Sequence, residues 1–150
     1  MLDASAITAL FNKNFCPAVI KEIDDAFFSI DICIYDWRTY PSSYGPTVTR
    51  FNDAIKRAVD RGVEVRVVLN SVREAARLHV LGCKVFMFTD SRTLHTKLMI
   101  IDRSTIVVGS HNYSESAFST NEELSVMLKY DTEATDYTSY FERLVAHFSK

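Results

Sequence analysis

The stretch Phe51-Asn-Asp-Ala-Ile-Lys-Arg-Ala-Val-Asp-Arg-Gly-Val-Glu-Val-Arg-Val-Val-Leu69 carries the fold in miniature. Phe51, Ala54, Ile55, Ala58 and Val59 recur at helical spacing, so they form one buried stripe, and Gly62 stops the helix. Val63 to Leu69 then alternates and is rich in valine, which predicts a strand. Upstream, Ile30 to Tyr35 reads as a buried strand, and Pro17 to Phe28 as an amphipathic helix. Downstream, Ser71 with Glu74 has the form of a capping box opening a short helix that Gly82 closes. Further strands are expected at Lys84–Phe88, Leu98–Ile101, Ile106–Val108 and Leu124–Leu128. Asp131 or Thr132 caps a last helix with the stripe Ala134, Tyr137, Phe141, Leu144, Val145 and Phe148. Helix-length crossovers between strands predict an α/β fold, an α-β-α sandwich on a mixed, largely parallel central sheet.

Composition bounds the rest. The 150 residues predict a single domain over 1–150, and 47% hydrophobic with 24% charged residues excludes a disordered or collagen-like chain. Seventeen Lys+Arg against 19 Asp+Glu leave a formal charge of −2, so a polyanion would bind only through a local basic patch. Cys16, Cys33 and Cys83 are widely spaced, and Cys33 and Cys83 lie in apolar runs. Buried free thiols are expected, with no disulfide framework and no zinc site. The N-terminal residues lack the pattern of a signal peptide, and no apolar run approaches the roughly 18–20 residues of a membrane span. A cytoplasmic location is expected.

The chemistry concentrates in Leu94-His-Thr-Lys-Leu-Met-Ile-Ile-Asp102 and Val108-Gly-Ser-His-Asn112. On a strand, His95 and Lys97 emerge on the same face. Gly109, Ser110 and Asn112 follow the next apolar strand at a turn, which brings a hydroxyl, an amide and backbone N–H groups towards that face. An imidazole beside such donors suits phosphoryl transfer without a metal: the donors hold the non-bridging oxygens while the histidine does the covalent work.

The spacing His-x-Lys-x4-Asp-x6-Gly-Ser-x-Asn resembles the HKD motif of the phospholipase D superfamily at His95, Lys97, Asp102, Gly109, Ser110 and Asn112. In size and element order the chain is similar to the short Nuc-type endonucleases, which carry one motif. This resemblance implies a phospholipase D-like fold and an active site completed by a homodimer. It also implies a two-step mechanism without metal or other cofactor. One His95 attacks phosphorus to give a phosphohistidine, and the partner's copy protonates the leaving oxygen and then activates water. Lys97, Ser110 and Asn112 would bind the phosphate. A glutamate in the following strand would orient the histidine, with Glu123 the match and Glu122 the fallback, because a one-residue slip flips the face. Asp102 is expected to serve the scaffold or dimer contacts.

Outside the motif, the loop Asp36–Thr47 follows the first predicted strand, where α/β folds place ligands. Trp37 and Tyr40 in that loop, with Tyr44, either stack on bases or pack the loop down. Arg38, Arg50, Arg73, Arg77 and Arg92 are candidates for the basic patch, and His111 for a rim or structural position. Lys56, Arg57 and Arg61 form a solvated helix face, and His79 and His147 are surface residues. The sequence therefore points to a metal-independent phosphodiesterase, an endonuclease on DNA or RNA. The alternatives are a small phospholipase D or cardiolipin-type lipid hydrolase, and a non-catalytic nucleic-acid-binding module.

Overall fold

Strand β2 (Ser29–Ile34) is buried along its last five residues and lies inside a sheet ordered β1-β7-β6-β5-β2-β3-β4. The computed structural model describes residues 6–39 and 45–149. Around β2 the elements run β1 (Ile7–Phe11), a 3-10 turn (Asn12–Asn14), α1 (Phe15–Asp24), α2 (Pro46–Asp60), β3 (Glu64–Leu69), α3 (Val72–Leu81) and β4 (Lys84–Met87). The second half supplies β5 (Lys97–Ile101), β6 (Thr105–Gly109), α4 (Glu115–Ser119), β7 (Leu124–Lys129) and α5 (Thr135–Phe148).

Period-two alternation divides the core between the two sheet faces. Ile30, Ile32 and Ile34 pack with Val19, Ile23, Phe51 and Ile55 of α1 and α2, while Cys33, Leu98 and Ile100 meet Phe141 and Leu144 of α5. This is the expected α-β-α sandwich on a mixed sheet, but the expectation of a largely parallel sheet is corrected, since two of the six strand pairings are parallel and four antiparallel. Its parallel part is β2-β3-β4, and β5, β6, β7 and β1 continue antiparallel. The three residues between β5 and β6 allow only a hairpin, whereas a parallel pair needs a crossover. All three cysteines are buried and free, and burial pushes the thiols of Cys16 and Cys83 up to about 12 and that of Cys33 to about 11.

Several local expectations are corrected. Strand β1 gives no alternating signal because it is an edge strand with only Leu10 buried. Helix α1 stops at Asp24 rather than Phe28, since the Asp102 carboxylate takes the N–H groups of Phe27, Phe28 and Ser29 at 2.8, 2.7 and 3.0 Å. Asp102 thus pins the lead-in to β2, and its φ of 51° lets the chain reverse towards β6. At α3 only half of the capping box forms. Ser71 accepts from Glu74 N–H, but the buried Glu74 carboxylate turns to Thr39 and ties down the chain after β2. Ala134, not Asp131 or Thr132, caps α5, and its N–H donates to the Arg103 carbonyl at 2.8 Å.

Candidate active site

The carboxyl ends of β2 and β6 and the amino ends of β5 and β7 meet at one edge of the sheet. His95 lies in the extended lead-in to β5 and is exposed, while Lys97 opens the strand and is 8% exposed. The Tyr35 N–H donates to the Thr96 carbonyl at 3.0 Å, which carries the β2 pairing up to this lead-in. Lys97 Nζ donates to the His95 carbonyl at 2.9 Å and lies 3.0 and 3.1 Å from Nδ1 and Nε2 of its ring. Equally near to both nitrogens, the ammonium sits over the ring face and caps the lone pair of neither. Tyr35 flanks both groups: its ring centroid is 5.0 Å from that of His95 and 5.3 Å from Lys97 Nζ. Burial lowers the Lys97 pKa from its ordinary value, and the charge of Glu123 partly opposes that shift.

Gly109 explains how the next strand approaches. A Cβ built there would fall 2.4 Å from Ser125 Cα and 2.6 Å from the Leu124 carbonyl, so only glycine lets β6 lie this close to β7. Ser110, just beyond, donates to Glu123 Oε1 at 2.6 Å and accepts from the Leu124 N–H at 3.0 Å. Asn121 donates to the other Glu123 oxygen at 3.0 Å. Asn112 Oδ1 accepts from the Asp36 N–H at 3.3 Å, which commits the amide nitrogen as the donor end of that side chain.

The structure separates the remaining candidates. Glu123 faces the site, whereas Glu122 accepts from the Asn12 amide at 3.2 Å, so the register favours Glu123. Within one chain the Glu123 carboxylate is engaged by Ser110 and Asn121, and not by His95. Asp102 stands at the far end of β5 as a scaffold residue.

Two suggested substrate contacts are corrected. Trp37 is 1% exposed, donates to Asn52 Oδ1 at 2.7 Å and packs edge-on against Phe51 and Tyr113, so it anchors the loop and offers no stacking face. His111 is also 1% exposed and stacks on Phe15 with centroids 4.2 Å apart. Its Nε2 donates to the Asn12 carbonyl at 2.9 Å, which leaves Nδ1 to accept from the Ser125 hydroxyl at 2.7 Å. That neutral tautomer matches a pKa held below the ordinary 6.5 by burial, against smaller upward pulls from the Asn12 bond and Glu123.

Arg38 remains at the surface, 3.0 Å from Asp36, in a depression shared with Tyr35, Asn70 and Ser71. Tyr40 and Tyr44 lie outside the described residues. Tyr35 is an addition that sequence reasoning missed. For Tyr35 the available signal was its place at the carboxyl end of a parallel strand. Among the described residues, no group of three or more His, Cys, Asp and Glu side chains is placed to hold a metal ion. No helix among them is long and apolar enough to cross a membrane.

A family model described as cardiolipin synthase, PLD-like domain, matches residues 19–145. The chain belongs to the phospholipase D-like family. Among relatives, this phospholipase D-like chain is 25% identical to the mitochondrial cardiolipin hydrolase of Drosophila melanogaster, over 88% of the chain and 59% of the relative. It is 38% identical to phospholipase D Y of Dictyostelium discoideum, over 51% of the chain and 20% of the relative. The chain thus spans less than two thirds of the length of these relatives. Among solved structures, Nuc of Salmonella typhimurium, a phospholipase D family member, superposes with a TM-score of 0.74 at 20% identity, covering 92% of this chain and 90% of Nuc. NucT of Helicobacter pylori gives 0.73 at 20% identity, covering 93% of this chain and 95% of NucT. Both likenesses concern the fold.

Proposed function

We propose that this phospholipase D-like chain is a metal-independent phosphodiesterase that cleaves nucleic acid, with its active site completed by a second copy of the chain. The observation that carries the reading is the exposed His95 ring with the Lys97 ammonium over its face, beside the donors Ser110 and Asn112. A phosphodiester seated there would have its non-bridging oxygens held by Lys97 and Asn112, and by Ser110 once its hydroxyl turns from Glu123 to the phosphate. A neutral His95 attacks phosphorus, forming an N–P bond as the P–O bond to the leaving alkoxide breaks. A protonated His95 of the second copy gives that alkoxide its proton. The same imidazole then takes a proton from water, whose oxygen displaces the first His95 and releases the phosphate product.

Of the exposed histidines, only His95 lies at this end of the sheet, and it supplies one of these two roles, which is the argument for a dimer. Phe11 and Leu124, cross-strand partners beside Glu123, are 55% and 52% exposed and supply apolar surface for self-association.

A lipid substrate is the second reading, favoured by the family description and by the cardiolipin hydrolase relative. The deciding experiment compares single- and double-stranded DNA and RNA with phosphatidylglycerol and cardiolipin vesicles, all in excess chelator. Nucleic-acid cleavage that His95→Ala abolishes, in a variant that stays folded, is the expected result. Cleavage of lipid alone selects the second reading, and turnover lost in chelator overturns the metal-free scheme. A pH–rate profile that is bell-shaped is expected from the histidine pair, and one with a single ionisation counts against it.

A further inference from the structure

A second depression opens on the other side of His95. It has a volume of about 170 Å³, with Phe88 and Leu144 among its apolar lining and Thr96, Tyr140, Arg143 and Arg92 among its polar lining. Thr96, between His95 and Lys97 in sequence, points to the opposite face of the strand, and its hydroxyl lies 2.9 Å from the Tyr140 phenol. That bond ties the catalytic segment to α5 and fixes the Tyr140 ring. The Arg143 guanidinium rests on this ring, 5.4 Å from its centroid.

The two arginines differ in their electrostatic state. Arg92 is held by Asp90 at 2.8 Å, so its charge is largely answered locally. Arg143 has no carboxylate partner among the described residues. In a chain of net charge −2, an exposed guanidinium that is stacked, oriented and without a counter-ion beside the reactive histidine is suited to a second anion. Arg143 occupies one face of the Tyr140 ring, which makes a base-stacking platform of that face the weaker reading.

We propose that Arg143, seated on Tyr140, forms a second-phosphate subsite that takes the phosphodiester next to the scissile one in a nucleic-acid strand. This rests on the proposed phosphodiesterase function and makes strands with at least two consecutive phosphodiesters its preferred substrate. Binding one phosphate at His95 and Lys97 and its neighbour at Arg143 would fix the strand's direction across the site. Tyr140 and Thr96 act as positioning residues for the guanidinium.

The test measures steady-state kinetics of the full chain and its Arg143→Ala, Arg143→Lys and Tyr140→Phe variants in chelator. The substrates are an oligonucleotide and bis(p-nitrophenyl) phosphate, which has one phosphodiester and no neighbour. Arg143→Ala is expected to raise KM about tenfold for the oligonucleotide and to change the small diester less than about twofold. It should also reduce the slope of log binding against log salt by about 0.7–0.9. Arg143→Lys should restore the salt slope but only part of the KM, because an ammonium lacks the planar face for stacking. Tyr140→Phe keeps the stacking ring but loses the Thr96 bond that fixes it, so it should raise the oligonucleotide KM by a smaller factor, about two- to threefold, and leave the small diester unchanged.

If the parent hydrolyses neither substrate, the underlying function is wrong. If the parent hydrolyses both and Arg143→Ala alters both equally, or neither, the function stands and the subsite is wrong. An Arg143 effect seen on cardiolipin, a lipid with two phosphodiesters, and absent from the oligonucleotide would overturn the assignment to a nucleic-acid strand.

Discussion

Asp102 falls within the spacing that resembles the HKD motif, yet its position predicts a loss of stability and not of chemistry. It lies five residue steps beyond Lys97 along β5, which at about 3.3 Å per residue places their Cα atoms ~16 Å apart. Its carboxylate instead accepts from the N–H groups of Phe27, Phe28 and Ser29 at 2.8, 2.7 and 3.0 Å. Hydrogen bonds to a charged group contribute about 1.5–3 kcal/mol each when shielded from water. Phe27 is 86% exposed, so water replaces part of this interaction and roughly 1 kcal/mol per bond is the better figure, about 3 kcal/mol in all. Alanine adds about 1 kcal/mol because Asp102 has a φ of 51°, a left-handed conformation that Asp and Asn reach through local hydrogen bonds of their short polar side chains and that alanine cannot support in this way.

Asp102→Ala should therefore cost about 4 kcal/mol, while Asp102→Asn, which tolerates that conformation and keeps one acceptor, should cost about 1–2 kcal/mol. For a domain of this size, 4 kcal/mol corresponds to a fall in Tm of roughly 8–16 °C. Thermal and urea unfolding give the stability, and turnover per folded molecule, measured well below the lowered Tm, should stay within about twofold of the parent. An unchanged Tm, or a tenfold loss of turnover in fully folded Asp102→Ala, would refute the scaffold role.

Three further outcomes follow from named contacts. Arg66 grips the buried Asp31 with two bonds of 2.8 and 2.9 Å, so Arg66→Leu should cost about 3–5 kcal/mol in urea unfolding by stranding that carboxylate, and a cost below about 1 kcal/mol would contradict this. Gly109→Ala should cost about 1–3 kcal/mol and loosen the β6–β7 register that places Ser110 against Glu123, so parent-like stability would show that the backbone yields there. The buried His111 has a folded pKa below its unfolded 6.5, so the unfolded state takes up the proton first and stability falls as pH drops below about 6.5. His111→Gln should flatten the Tm–pH curve between pH 5 and 7, and an unchanged slope would locate the effect elsewhere.

Much of the scaffold was legible because it rests on local rules. The stripe from Phe51 to Val59 gave α2, the alternation from Val63 gave β3, and Gly82 closes α3 with a φ of 103°. The edge strand β1 and the five-residue α4 were not legible, since an element with little buried surface carries little periodicity. The same limit applies within the site. The motif spacing put His95, Lys97, Ser110 and Asn112 at one sheet end, but for Trp37 and His111 the sequence left substrate contact and packing both open, and in space they are core residues.

The sequence by itself determined the alternation of helix and strand, the chemistry of the motif and the near-neutral charge, because periodicity, residue type and spacing are properties of the chain. Only the tertiary structure decided that Glu123 and not Glu122 faces Ser110, that Asp102 anchors the far end of β5, and that Arg143 shares a depression with His95 and has no carboxylate partner among the described residues. Those facts depend on strand register and on which distant side chains share a space. A one-residue shift in β7 would leave the composition unchanged and exchange the two glutamates.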